Sequence, residues 1–338
     1  MKKLFFFMAC VAMSVLSMAQ VNQLVWANGR LLYGSPITNV DSLTYDESAG
    51  MDTLLLPRVL IKEVHDTVYV TQVVHDTVYV ETDCGEDIPS AGIGAFSIAD
   101  GKQVTFSKGN LQYHPKNNEW RFAENQTDYI GDANSNIAAD YDGWIDLFGW
   151  GTGDAPTKSS TSYSDYSTFV DWGTNQIGAD APNTWRTLSK DEWMYIFYNR
   201  PNAQSLFALG SVNGVNGTII LPDNWTTPSG VSFVASTTLG LSWDGSSYYN
   251  SNGNNFSHNT YTAEQWQTME QAGAVFLPAS GYRWGSVLNY VGNFGYYWSS
   301  TEDYVDFAHY VYFTSDGFLP QYNLDRHSGR AVRLAQDL

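Results

Sequence analysis

The chain has 338 residues, and 17 Lys and Arg face 35 Asp and Glu, for a formal charge of −18 at pH 7. Phosphate backbones and anionic lipid surfaces repel such a protein, which argues against nucleic acid and direct membrane adsorption as partners. Only 15% of residues are charged and 43% are apolar, so the acidity belongs to a folded chain with polar loops and not to a disordered acidic tail.

In chain order, Met1-Lys2-Lys3 precedes an apolar run from Leu4 to Leu16 and then Ser17-Met18-Ala19, the charged, hydrophobic and small-x-small order of a signal peptide over residues 1–19. This predicts export, to the outside or to the cell surface and outer envelope. The run is shorter than the roughly 20 apolar residues a membrane helix needs, and no later stretch approaches that length, so no transmembrane segment is expected. Cys10 lies inside the apolar run, which leaves Cys84 as the only cysteine of the mature chain. An internal disulfide is excluded, and stability must come from burial, for which aromatic residues at 15% supply large rings.

Residues 20–57 open on Gln23-Leu24-Val25-Trp26-Ala27, Asn28-Gly29 and Arg30-Leu31-Leu32-Tyr33. Asn-Gly between two apolar runs predicts a β-hairpin, because both central positions of a type I′ turn need positive φ. Residues 58–91 carry a ten-residue repeat, Val64-His65-Asp66-Thr67-Val68-Tyr69-Val70 and Val74-His75-Asp76-Thr77-Val78-Tyr79-Val80. Rich in β-branched residues, it reads as an extended stalk whose copies pair with each other or self-associate between chains. His65 and His75 each have one neighbouring Asp, short of a metal-ligand set.

From about residue 92 to 338 the composition turns to Gly-rich turns, short strands and rings. Strands are expected at 94–99, 103–107, 110–114, 119–123, 218–221, 274–277, 296–299, 308–314 and 331–335. Two helices are expected, one from the capping box Ser189-Lys190-Asp191-Glu192 with Trp193, Ile196 and Phe197 on one face, the other from Thr262-Ala263-Glu264-Gln265 with Trp266 and Met269. Val212-Asn213-Gly214 marks a turn before a buried strand. Two helices among short antiparallel strands make an α+β domain.

Four ordered motifs carry a resemblance. Trp185-Arg186-Thr187-Leu188-Ser189-Lys190-Asp191-Glu192-Trp193, Phe276-Leu277-Pro278-Ala279-Ser280-Gly281-Tyr282-Arg283, Gly295-Tyr296-Tyr297-Trp298-Ser299-Ser300-Thr301 and Arg326-His327-Ser328-Gly329-Arg330-Ala331-Val332-Arg333-Leu334 resemble the Fibrobacter succinogenes major paralogous domain family. That family has a C-type-lectin-like fold, shared with formylglycine-generating enzymes and the variable proteins of diversity-generating retroelements. The resemblance implies that the tail at 331–335 pairs with the strand at 94–99 and that Trp298 anchors the central sheet. It also implies that Arg326, Gly329 and Arg333 set the return of the last loop, with Arg333 buried and hydrogen bonding.

The chemistry expected of related enzymes is not matched. Formylglycine generation needs cysteines that residues 92–338 lack, and no Glu-Pro-Asn or Gln-Pro-Asp loop of a calcium-dependent lectin occurs; Pro222-Asp223-Asn224-Trp225 reads as a strand-end turn. No histidine stands in a hydrolase or metalloprotease motif. The expectation is therefore a protein without enzyme activity, metal or cofactor, although Asp142, Asp146, Asp165 and Asp171 among Trp144, Trp150 and Trp172 offer a sugar-groove alternative. The recognition surface is expected at residues 302–328, on Asp303, Tyr304, Asp306, Phe307, His309, Tyr312, Asp316, Phe318, Tyr322, Asn323, Asp325 and His327. Tyrosine there gives rigid contact area and small polar residues give adaptable hydrogen bonds. In the retroelement proteins the matching segment is the diversified one. Strand alternation places His309, Val311 and Phe313 on one face and Tyr310 and Tyr312 on the other. The expected role is an exported protein that displays this surface to a protein or glycan ligand; the alternatives are a structural envelope or fimbria-like component and a glycan-active enzyme.

Overall fold

The computed structural model describes residues 94–250 and 256–338, together with five strand segments nearer the N-terminus. The chain divides into two units, Met1–Gly85 and Glu86–Leu338. In the first, β1 (Phe5–Phe7), β2 (Asn22–Ala27) and β3 (Arg30–Pro36) form an antiparallel sheet in that order. Ala27 pairs with Arg30, so the two runs pair antiparallel as a hairpin requires, while the Asn28-Gly29 turn itself lies outside the described residues. β4 (Ile61–Val64) pairs antiparallel with β5 (Thr67–Val70), so the first repeat copy takes the preceding segment as its partner. The second copy, both repeat histidines and Cys84 lie outside the described residues.

The second unit is mixed α+β, mostly strands with two short helices. It begins with β6 (Phe96–Ala99), β7 (Lys102–Phe106), β8 (Leu111–His114) and β9 (Glu119–Phe122). Then come β10 (Arg186–Thr187), α1 (Lys190–Met194), β11 (Phe207–Val212), β12 (Val215–Ile220), β13 (Leu241–Trp243), β14 (Tyr248–Asn250) and β15 (Thr260–Tyr261). The rest are α2 (Ala263–Gln271), β16 (Val275–Pro278), β17 (Tyr282–Trp284), β18 (Val287–Asn289), β19 (Gly295–Asp303), β20 (Phe307–Phe313), β21 (Gly317–Asp325) and β22 (Leu334–Asp337).

Both helices start where the sequence places them. Ser189 and Thr262 each accept from the backbone N–H three residues on, and Glu192 and Gln265 reach back to the cap, which satisfies donors that the first turn otherwise leaves open. A π turn at Tyr195–Asn199 prolongs α1 and buries Ile196 and Phe197 beside Trp193. Asn213 and Gly214, both at positive φ, close the β11–β12 hairpin with Val212 opposite Val215.

Three sheets carry the unit, with orders β10-β22-β7-β6, β15-β11-β12-β16 and β13-β14-β21-β20-β19. The tail strand does not pair with β6 as expected. It lies one strand away, with Ala335 opposite Phe106 on β7 and Leu334 opposite Thr187 on β10. The outer edge of β6 is already taken: Asp223 accepts from the Ser97 amide and hydroxyl, and its own N–H donates to Ala95 O.

Two ring-rich clusters flank the five-stranded sheet. One contains Trp193, Phe197, Phe207, Val311, Phe313 and Phe318, the other Trp120, Phe148, Trp150, Trp172, Trp298 and Tyr310. A third joins Trp266 and Met269 of α2 to Phe276 of β16. Burying each such side chain fully is worth about 1.5–3 kcal/mol, the scale on which this unit replaces the missing disulfides.

Candidate ligand-binding site

Strand alternation divides β20 between two environments. Val311 and Phe313 enter the first core cluster, while Tyr310 and Tyr312 point to the other face, as the period of two requires. On that second face, tyrosines of adjacent strands come opposite one another: Tyr296 of β19 pairs with Tyr312, and Tyr310 pairs with Tyr322 of β21. Their ring centroids lie 5.1 Å apart for Tyr296–Tyr312, 5.5 Å for Tyr310–Tyr322 and 5.6 Å for Tyr312–Tyr322, within the range of favourable aromatic pairs.

The short β17–β18 hairpin contributes to the same surface. Tyr282 meets Tyr296 edge-on at 5.1 Å, and Tyr290, just after β18, stacks on Phe294 at 4.3 Å with planes 9° apart. Tyr290 has a φ of 56°, a left-handed conformation costly for a ring-bearing residue and held here by that stack. Tyr249 of β14, Leu319 and Leu324 complete the lining. The result is a cleft of about 430 Å³ lined by Tyr249, Tyr282, Trp284, Tyr290, Tyr296, Tyr310, Tyr312, Leu319, Tyr322, Leu324, Ser328 and Arg330. Tyr249, Trp284, Tyr290 and Tyr322 are between 41% and 54% exposed, so the ring faces are open to solvent.

Arg330, fully buried, is the only charged lining residue. Its guanidinium lies 4.1 Å from the Tyr310 ring centroid and 4.3 Å from that of Trp298, a cation–π sandwich, and one terminal nitrogen donates to Asp325 O at 2.8 Å. Burial lowers its pKa from the ordinary arginine value. Its Nε has no hydrogen-bond partner, nor do the Ser328 hydroxyl and both ring nitrogens of His327. His327 is buried between Trp284, at 4.4 Å, and Tyr163, at 5.0 Å, and that burial lowers its pKa, which favours the neutral imidazole. Desolvation raises the Tyr310 and Tyr312 phenols to about 12 and Tyr296 further, so each keeps its proton as a donor at neutral pH.

The twelve residues expected to form the recognition surface separate. Tyr312 and Tyr322 line the cleft. Asp303, His309 and Asn323 form a polar group among themselves: Asn323 donates to the Asp303 carboxylate, His309 Nε2 lies 4.0 Å from it, and His309 Nδ1 contacts Gln321 O at 3.0 Å. Tyr304, 83% exposed, and Asp306 belong to the β19–β20 turn, Phe307 opens β20, and Asp316, also exposed, belongs to the β20–β21 turn. Three placements are corrected. Phe318 is completely buried among Phe197, Phe207 and Phe313, because β21 turns this side chain to the core face. Asp325 and His327 are buried as well, with the Asp325 carbonyl spent on Arg330. The segment itself is not an irregular loop, since most of it is the β20–β21 hairpin.

The residues assigned to scaffold roles are buried. Trp298 donates from its indole N–H to Phe148 O at 2.7 Å. Arg326 donates to Phe307 O and Tyr304 O, each at 2.8 Å, and to the Glu302 carboxylate, holding the β19–β20 turn against the returning chain. Gly329 pairs with Arg283 through both backbone bonds, and a Cβ there would meet Leu147 O at 3.0 Å. Arg333 donates to Gln126 Oε1 at 2.6 Å. The sugar-groove alternative is corrected: Trp150, Trp172 and Asp146 are core residues, and Asp171 is occupied in accepting from the Gly173 and Thr187 backbone.

Tyr249, Tyr282, Trp284, Tyr290 and Tyr296 were outside the surface expected from sequence, and strand alternation at Tyr248-Tyr249, one ring buried and the next 54% exposed, is the local signal that could have found Tyr249. Among the described residues no group of three His, Cys, Asp or Glu is gathered as a metal site would be, and no helix is long and apolar enough to cross a membrane. Comparisons with protein-family models, with curated proteins and with solved structures found no match to this chain.

Proposed function

We propose that this chain is an exported, non-enzymatic recognition protein with a C-type-lectin-like domain, and that the tyrosine-lined cleft on the β19–β20–β21 face is its ligand site. The observation that carries this reading is the concentration of half-exposed rings around one concave surface. Exposed rings of this size are expensive to leave in water, and aromatic residues on rigid strands contribute contact area at little entropic cost. The resemblance of the four ordered motifs supports the fold assignment, and three of them also supply residues of the cleft: Tyr282, Tyr296, Ser328 and Arg330. The apolar run over residues 4–16 supports export.

The site is discontinuous, and its test uses that fact. Labelled full-length chain applied to arrays of extracellular-matrix proteins and surface glycans is compared with W284A and Y322A, with thermal melting as the folding control. Truncating either ring lowers the array signal about tenfold or more. An unchanged signal from both correctly folded variants places recognition elsewhere. Grafting residues 302–328 alone onto another scaffold transfers no binding, because Tyr249, Tyr282, Trp284 and Tyr290 stay behind.

A further inference from the structure

We propose that the open edge of β21 takes an extended, basic peptide segment of a protein partner as a further strand of the five-stranded sheet, with its alternate apolar side chains laid against the tyrosine-lined cleft. This rests on the reading that the cleft is the recognition site.

The edge is left open by the strand pairing. β14 meets β21 only at Gly317 and Phe318, and among the described residues no strand pairs with the outer side of residues 319–325. The opposite edge of the same sheet is covered, since on β19 the Trp298 N–H donates to Ala331 O and the Ser300 N–H to Leu188 O. The phase of the hydrogen bonds identifies what the open edge presents. Arg326 N–H donates to Asp306 O, so Leu324 and Tyr322 also turn their backbone groups toward β20, and Asn323 turns both its N–H and its C=O outward. Those two groups serve an added strand, whose main-chain bonds supply affinity while pockets for alternate side chains supply specificity. Natural edges are commonly blunted with Lys or Pro. Residues 321–325, Gln-Tyr-Asn-Leu-Asp, contain neither, and their one charge, Asp325, is buried.

Side-chain chemistry selects the occupant. Tyr322 and Leu324, 41% and 39% exposed, line the cleft, and residues opposite them on an added strand fall on the same face at a Cβ separation of about 4.5–5.5 Å. Apolar residues at those two positions remove a ring and a leucine from water. The residue between them lies opposite Asn323 and on its face, where the Asn323 amide donates to the Asp303 carboxylate. Asp306 stands in the turn that follows Asp303, Asp316 at the other end of β21, and the chain as a whole carries −18. A Lys or Arg in the middle position therefore meets a carboxylate, and long-range attraction draws a basic segment to this acidic protein. The occupant is accordingly an extended run that reads apolar, basic, apolar.

The test is selection of short random peptides, displayed on phage, against the immobilised full-length chain, followed by calorimetric titration of the enriched peptides. Enrichment of the apolar, basic, apolar alternation is expected. Y322A and N323P are each expected to weaken the enriched peptides about tenfold or more, while N323A, which keeps the outward N–H, retains binding; thermal melting is the folding control. N-methylation of successive peptide amides reads the same edge from the ligand side without altering the protein, and affinity is expected to fall at alternate positions only. Uniform tolerance of N-methylation, or equal affinity of correctly folded N323P and N323A, overturns strand addition. Enriched peptides that are acidic, or that lack the alternation, overturn the stated chemistry of the occupant. Failure to enrich any peptide overturns the peptide assignment, and a glycan signal on the arrays that W284A and Y322A still lower then leaves the cleft as the site. Peptide binding unaltered in W284A, Y322A and N323P overturns the cleft itself.

Discussion

Phe318 and Tyr322 lie four residues apart on β21 and have opposite roles. Phe318 packs with Phe197, Phe207 and Phe313, so Phe318→Ala leaves a cavity in the core and is expected to lower stability by about 3–5 kcal/mol in urea denaturation. Tyr322→Ala, on a ring that is 41% exposed, is expected to change stability far less. Asp146 is the other residue whose setting decides its behaviour. It is completely buried, accepts from the Asn134 side chain and the Ile130 amide, and desolvation raises its pKa from 3.8 to about 6. The folded state thus holds the Asp146 proton more tightly than the unfolded chain does. The stability this gives is complete below pH 3.8 and is lost as pH rises through about 6. Asp146→Asn is expected to shrink the difference between urea midpoints at pH 4 and pH 7, and an unchanged difference counts against a buried, proton-favouring carboxyl.

At the scale of elements, short helices depend on their ends. α1 has five residues before its π turn, and its capping box supplies two backbone hydrogen bonds, at 3.3 Å from Glu192 N to Ser189 Oγ and 2.7 Å from Ser189 N to the Glu192 carboxylate. Ser189→Ala is expected to cost about 1 kcal/mol, read as a lower melting temperature with native spectra. The Glu192 carboxylate also receives the Arg186 guanidinium, which bridges to Asp337 on the tail strand, so this cap joins helix and sheet. Gly295 has a comparable position at the start of β19. A Cβ there would stand 1.9 Å from the Phe313 ring, which is fixed between Tyr297 and Phe318. Gly295→Ala is expected to destabilise by about 1–3 kcal/mol through overpacking, checked by denaturant titration.

At the scale of the molecule, β22 lies inside its sheet, between β10 and β7, with Leu334 and Ala335 fully buried. Deleting residues 334–338 opens that sheet on both sides and is expected to abolish the cooperative unfolding transition in calorimetry; a retained sharp transition contradicts a structural tail. The capping boxes, the Asn213-Gly214 turn and the α+β class were all readable from sequence, because each depends on residues within a few positions of one another. The inward rings of α1 and α2 were readable for the same reason, through helical spacing. Three features needed the tertiary structure. The partner of the tail strand was decided by Asp223, more than a hundred residues away, occupying the edge of β6. Phe318 and Tyr322 are an even four residues apart yet face opposite ways because a register shift interrupts the pairing of β20 with β21 between them, and composition alone counted Phe318 with the exposed tyrosines. The cleft joins Tyr249, Trp284, Tyr310 and Tyr322 from four strands with Arg330 from the segment between β21 and β22, and cross-strand register, which brings distant residues within about 5 Å, has no local signature in a chain.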